Sequence, residues 1–143
     1  MHDLIRRVLE RKGTVIERLD AEAPVSAAVV LMNLRNIGSI VVFDGPHLVG
    51  ILTERDVLVR VVGERRDPAA LRVGDVMTTA VITVALDATV EEAMAVMTAS
   101  RCRHLPVMDG GRVVGLVSQG DLTSWVIRDQ ERAIVDLTDY IHR

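Results

Sequence analysis

Two short stretches of the chain set a hydroxyl and a carboxylate at one spacing: Thr53 and Asp56 in GILTERD, and Ser118 and Asp121 in GLVSQGD. Thr or Ser with an acid three residues on forms a capping box, in which the two side chains satisfy backbone amides at the start of a helix. The same arrangement suits a ligand. A helix N-terminus with free amides attracts an anion, a hydroxyl there donates to a phosphate oxygen, and a carboxylate accepts from sugar hydroxyls. The two roles are compatible, and the residues leave both open.

Both pairs sit at the end of a longer repeat. VFDGPHLVGILTERD at 42 to 56 returns as VMDGGRVVGLVSQGD at 107 to 121, displaced by 65 residues with no gap. Duplication implies two related binding surfaces rather than one active site. The rest of the chain offers little catalytic equipment. Histidines at 2, 47, 104 and 142 have no metal-ligand spacing, and His104 has no identifiable Ser or Cys nucleophile as a partner. No metal site and no enzymatic activity are expected. The single cysteine, Cys102, excludes an internal disulfide and reads as a small core residue.

The elements that position these groups follow from periodicity. Shifted by 65, Val25, Ala28, Val29 and Met32 fall on Val90, Ala93, Met94 and Met97. Both sets show the i, i+3, i+4, i+7 spacing of one buried helical face. Pro24 marks one start as a first-turn residue, and the pattern Thr89 to Glu92 marks the other as a capping box. Apolar runs at 39–43 and 104–108 predict strands, with hairpin turns at Asp44-Gly45 and at Asp109-Gly110-Gly111. A third helix follows Asp56 (VLVRVV) and Asp121 (LTSWVI). Strands around 14–16 and 81–84 precede the first helices, with a one-residue slip in register. Each unit therefore reads strand, helix, strand, strand, helix, an α+β arrangement. Between the units, GERRDPAALR at 63–72 suits an exposed connector. Leu4, Ile5, Val8 and Leu9 at one end, and Ile134, Leu137 and Ile141 at the other, predict amphipathic tails that pack on the module or on a second subunit.

Composition narrows the partners. The 143 residues are 49% hydrophobic, with one Phe, one Trp and one Tyr, so the core is aliphatic. A net charge of -3 and the scarcity of aromatics argue against nucleic acid. No apolar run reaches the roughly 18 residues of a membrane span, and MHDLIRRVLERKG is unlike a secretory signal. A cytoplasmic protein without membrane contact is expected.

GILTERD and GLVSQGD, together with KGTVI, IGSIVV, VGDVMT and RCRHLPV, resemble the motifs of tandem cystathionine-beta-synthase (CBS) domain pairs, also called Bateman modules. The likeness runs from about Arg11 to Ile127 and extends to bacterial stand-alone CBS proteins and plant CBSX-type proteins. It implies CBS domains at 8–62 and 73–128, packed with pseudo-twofold symmetry, and a C-terminal amphipathic helix at 129–143. It also implies clefts for an adenine nucleotide, AMP foremost, with ADP, ATP or NAD(H) as alternatives and no catalytic cofactor. By position, Asp56 and Asp121 would hold ribose hydroxyls, and Thr53 and Ser118 would face phosphate. Arg55 would add charge in the first copy, where the second copy has Gly120. Adenine would be read by main-chain groups near Thr83 and along Arg103, His104, Leu105 and Pro106, matched in the first copy by Gly38, Ser39, Ile40 and Val41. Lys12 is a further candidate. The resemblance implies a homodimer, and a regulated target on a separate chain. The alternative is a ligand-free interaction module whose repeated motifs only cap helices.

Overall fold

Two three-stranded sheets carry the repeat. In a computed structural model that describes residues 3–142, the chain divides into two compact units. The first-repeat unit spans Val15–Ile82. The second-repeat unit joins the segment up to Thr14 to everything from Thr83 on.

In the first-repeat unit, β1 (Arg18–Asp20) lies parallel to β2 (Ser39–Asp44), which pairs antiparallel with β3 (His47–Thr53). Helix α2 (Val25–Arg35) crosses between β1 and β2, burying Val25, Ala28 and Met32, with Val29 half-buried. The hairpin turns at Gly45, whose φ of 57° is open to glycine at no steric cost. Pro24 is the residue before α2 rather than its first turn, and it has no side chain with which to cap. The connector supplies what it lacks: Val25 N donates to Leu71 O at 2.9 Å and Ser26 N to Pro68 O at 3.0 Å. The connector is exposed as far as Ala70, but Leu71 is buried. Helix α3 (Glu54–Asp56) runs on over Val57–Val62 with wider, π-type winding, in which Gly63 N donates to Leu58 O. Helix α4 (Val73–Val76) completes the unit. Arg60 Nη1 donates to the carbonyls of Val76 and Met77 at 3.1 and 3.0 Å, satisfying acceptors at the end of that helix.

The second-repeat unit repeats this plan. β4 (Val84–Ala85) lies parallel to β5 (His104–Asp109), which pairs antiparallel with β6 (Arg112–Ser118). Helix α5 (Val90–Ser100) buries Val90, Ala93 and Met97 and begins with the Thr89 to Glu92 capping box. Helix α6 runs without interruption over Gln119–Ile141. Both hairpins carry a bulge at matching places, Val42/Phe43 and Val107/Met108.

The opening strands depart from the sequence expectation. β1 begins at Arg18, not near Thr14, because the residue facing the core is Leu19, paired with Val42; Val15 is 89% exposed. Since Val84 pairs with Val107, the two strands obey the same 65-residue shift as everything else, and there is no register slip.

Each core also takes a short helix from outside its own repeat. Val73 and Val76 of α4 join Ile40, Val42 and Leu52 in the first-repeat core. Ile5, Val8 and Leu9 of α1 (Ile5–Lys12) join Leu105, Val107, Val117 and Leu122 in the second. The two short helices enter in the same way. An isolated bridge links Pro24 to Arg72 just before α4, and another links Thr89 to Leu4 just before α1. The glycines that open the two motifs make room for these segments. A Cβ on Gly50 would lie 2.9 Å from Thr78 O, and one on Gly115 would lie 2.6 Å from Leu9 Cδ1. The N-terminal tail thus packs in the chain's own core, whereas Ile134, Leu137 and Ile141 of α6 remain exposed.

Candidate functional site

Each hydroxyl and carboxylate pair stands where the last strand of a hairpin turns into a helix. Thr53 ends β3, and its Oγ1 accepts from Asp56 N at 3.1 Å while Asp56 Oδ2 accepts from Thr53 N at 3.0 Å. Ser118 ends β6 and does the same with Asp121, at 3.1 and 2.8 Å. The capping box predicted from the spacing is present in both repeats. In this geometry each hydroxyl oxygen accepts, so its proton is left to donate. Two of the first three helical amides are bonded in each case. Besides Asp56 N and Asp121 N, Glu54 N donates to Gly38 O at 2.9 Å and Gln119 N to Arg103 O at 2.8 Å. An anion at this turn would therefore meet chiefly the amide between them, that of Arg55 or Gly120.

The two carboxylates differ in company. Asp56 is only 7% exposed, and Thr78 Oγ1 donates to its Oδ1 and Oδ2 at 3.1 and 3.2 Å. Asp121 receives Lys12 Nζ on Oδ2 at 2.6 Å, and the same ammonium donates to Leu116 O at 2.6 Å. Lys12 reaches with its side chain what Thr78 reaches partly through its backbone, since Thr78 N donates to Ile51 O, the counterpart of Leu116 O. Burial works to raise the Asp121 carboxyl, but the hydrogen bonds and charge of Lys12 together with those from Ser118 hold it below the ordinary carboxylate value. Oδ1 of Asp121 accepts nothing from the other described residues, which leaves it for hydroxyl donors.

The remaining candidates line the strands behind these turns. Ser39 pairs with Thr53 across the first hairpin and is buried, as are Ile40 and Val41. His104 pairs with Ser118 across the second hairpin, with Leu105 and Pro106 buried beside it. Arg55, Thr83 and Arg103 are exposed. Within each unit the strand start and the motif turn are thus adjacent, because hairpin register places residue 39 opposite 53 and residue 104 opposite 118. Thr78 was missed from the sequence; its signal was VGDVMT, but nothing in the spacing said that this threonine would meet Asp56. Among the described residues no cluster of His, Cys, Asp and Glu is arranged to hold a metal ion. Cys102 is half-buried, and burial pushes its thiol up, which disfavours the reactive thiolate.

Two half-length α+β units, each closing a Gly-x-x-Thr/Ser-x-x-Asp turn against a short exchanged helix, agree with what comparison finds. The CBS domain profile matches residues 14–63 and 73–128. The chain is 36% identical to the Arabidopsis thaliana mitochondrial CBS domain-containing protein CBSX3, over 80% of this chain and 58% of that one. It is also 36% identical to YlbB of Bacillus subtilis, over 78% and 76%. A solved CBS-domain protein from Burkholderia ambifaria superposes with a TM-score of 0.85 at 40% identity, covering 89% of this chain and 96% of that one. The chain belongs to the CBS-domain family and is a tandem CBS pair. Such pairs are regulatory modules that commonly bind adenine nucleotides. It spans little more than half of the Arabidopsis relative's length, and no helix among the described residues is long and apolar enough to cross a membrane.

Proposed function

We propose that this CBS pair is an adenine-nucleotide sensor without catalytic activity, binding AMP foremost, or ADP, ATP or NAD(H). One observation carries the reading: a carboxylate and a proton-bearing hydroxyl stand at the same strand-to-helix turn in both repeats, held in place by the same reciprocal hydrogen bonds. Asp56 and Asp121 hold ribose hydroxyls, Thr53 and Ser118 donate to phosphate, and Arg55 adds charge in the first copy. Main-chain groups along 38–41 and 103–106, with those near Thr83, read the base. Two or three charge-assisted bonds of about 1.5 to 3 kcal/mol each, with a buried base, support affinity near the micromolar range, about -8 kcal/mol.

Occupancy then favours one packing of the two repeats, and the chain signals only to the extent that the nucleotide prefers that packing. The receiver is a separate regulated protein in the cytoplasm. The chain acts as a homodimer through helical faces. Val30, Leu34, Leu58, Val59 and Val62 are exposed on α2 and on the π-wound turn after α3, and these apolar side chains supply the association surfaces. The bonds that already engage Asp121 favour a second reading, a ligand-free interaction module in which the motifs only cap helices.

Calorimetric titration with AMP, ADP, ATP and NADH separates the two. Saturable binding of at least one, weakened tenfold or more in Asp56→Asn or Asp121→Asn proteins that keep their helix content, supports the sensor. Absence of heat and of thermal stabilisation with every nucleotide overturns it in favour of the interaction module.

A further inference from the structure

Within the second-repeat unit, an open hollow of ≈ 190 Å³ lies between α1 and the first turns of α6. Arg11, Lys12 and Arg128 line it with Asp121, Ser124 and Trp125. The Arg11 guanidinium stacks 4.3 Å from the Trp125 ring centroid, and Trp125 Nε1 is anchored by donation to Asp3 Oδ2 at 2.9 Å. The ring therefore holds the Arg11 guanidinium at the hollow through its face, an interaction that uses none of its N–H groups. Of the three cations only Lys12 has a carboxylate within ion-pair distance among the described residues, and that carboxylate is Asp121 itself. Arg11 and Arg128 thus bring two positive charges to one hollow with no carboxylate bonded directly to them among the described residues.

We propose that this hollow is a subsite for a multiply charged phosphoryl chain, a di- or triphosphate, gripped by Arg11 and Arg128 with Lys12 and the Ser124 hydroxyl beside it. Its size fits that class: it is smaller than the roughly 300 Å³ at which sites for whole drug-sized ligands begin, and suits the phosphoryl portion of a molecule. It also accounts for the asymmetry of the motifs. The first copy carries Arg55 inside the motif; the second has Gly120, although a side chain there would meet nothing closer than Ser118 Oγ at 3.7 Å. In the second copy the positive charge is supplied from α1 and from two turns further along α6. Planar guanidinium groups recognise phosphoryl oxygens through paired hydrogen bonds, so two of them favour chains of phosphates over a single one. The chain can arrive free, as inorganic polyphosphate, or attached to a nucleoside whose ribose meets Asp121; the latter form rests on the nucleotide reading above.

Trp125 is the only tryptophan and reports the site directly. Titration of the full chain with sodium tripolyphosphate should change its fluorescence saturably, with orthophosphate binding at least tenfold more weakly. Arg128→Gln, a change at an exposed helix position, should weaken tripolyphosphate at least tenfold; Arg11→Gln should do likewise, and Arg112→Gln, at the exposed start of β6, should leave it unchanged. No saturable change and no rise in melting midpoint with tripolyphosphate overturns the subsite, as does wild-type affinity in Arg128→Gln. The nucleotide reading fails separately. Tripolyphosphate binding without AMP or ATP binding leaves the subsite standing alone, whereas AMP and ATP binding equally tightly, with ATP unaffected by Arg128→Gln, removes the subsite and leaves the nucleotide sensor.

Discussion

Lys12 Nζ donates to Asp121 Oδ2 across 2.6 Å although 109 residues separate them in sequence. The contact joins the end of α1 to the motif of the second repeat, and it makes that motif an ion pair where the first is a network of neutral donors around Asp56. The two copies of one turn are therefore set for different behaviour.

Acid should reveal the difference. The folded Asp121 carboxyl lies below its ordinary value of 3.8, so its stabilisation is present above that pH and is lost as the pH falls through the lower, folded value. Thermal melts of the wild type and of Asp121→Asn between pH 6 and 2 should differ most at the upper end and converge at the acid end. A constant difference over the whole range would show that the ion pair with Lys12 contributes nothing to stability.

Removing the first-copy carboxylate should cost more. Asp56→Ala strands the Thr53 amide and the Thr78 hydroxyl in a half-buried place, and unpaired groups of that kind cost roughly 1 to 3 kcal/mol. In Asp121→Ala the orphaned partners are one amide and a flexible ammonium that is itself exposed, so the loss should approach that of an ordinary cap, about 1 kcal/mol. Urea unfolding followed by circular dichroism gives both values. The reverse order would mean that the Lys12 pair outweighs the Thr78 network.

Substituting the motif glycines tests the seats of the exchanged helices. Gly50→Ala forces a methyl against the carbonyl of Thr78, which is pinned by its own bonds to Ile51, and overpacking of this sort costs about 1 to 3 kcal/mol. Gly115→Ala meets the Leu9 side chain rather than backbone, so a smaller loss is expected. Melting midpoints of the two variants, compared at one concentration, decide the ranking.

The exposed apolar side chains of α2 and of the π-wound turn should hold two copies together. Leu34→Asp or Leu58→Asp, both at exposed positions, should halve the mass seen by light scattering without changing helix content. A wild-type mass equal to one chain would contradict the dimer directly.

Much of this organisation was legible beforehand, for physical reasons that differ from element to element. The hairpins were readable because a turn needing positive φ demands glycine, and Gly45, Gly110 and Gly111 supply it between alternating apolar runs. The faces of α2 and α5 were readable because three buried positions in each obey helical spacing. β1 was misplaced because Val15 is apolar, and the alphabet does not say that an apolar residue will face water. The partner core of α1 and α4 was not legible at all. Periodicity identifies the greasy side of a helix and is silent about which of two similar sheets receives it. The candidate turn was readable to the level of its capping bonds, while Thr78, Arg11 and Arg128 came from elements whose placement only the fold provides.

The lending of α1 to the second repeat has a temporal side. Ile5, Val8 and Leu9 leave the ribosome more than a hundred residues ahead of Leu122, which they pack with. At about 5–20 residues per second, this sticky turn waits on the order of ten seconds, during which the nascent protein must shelter it from strangers until the second repeat arrives.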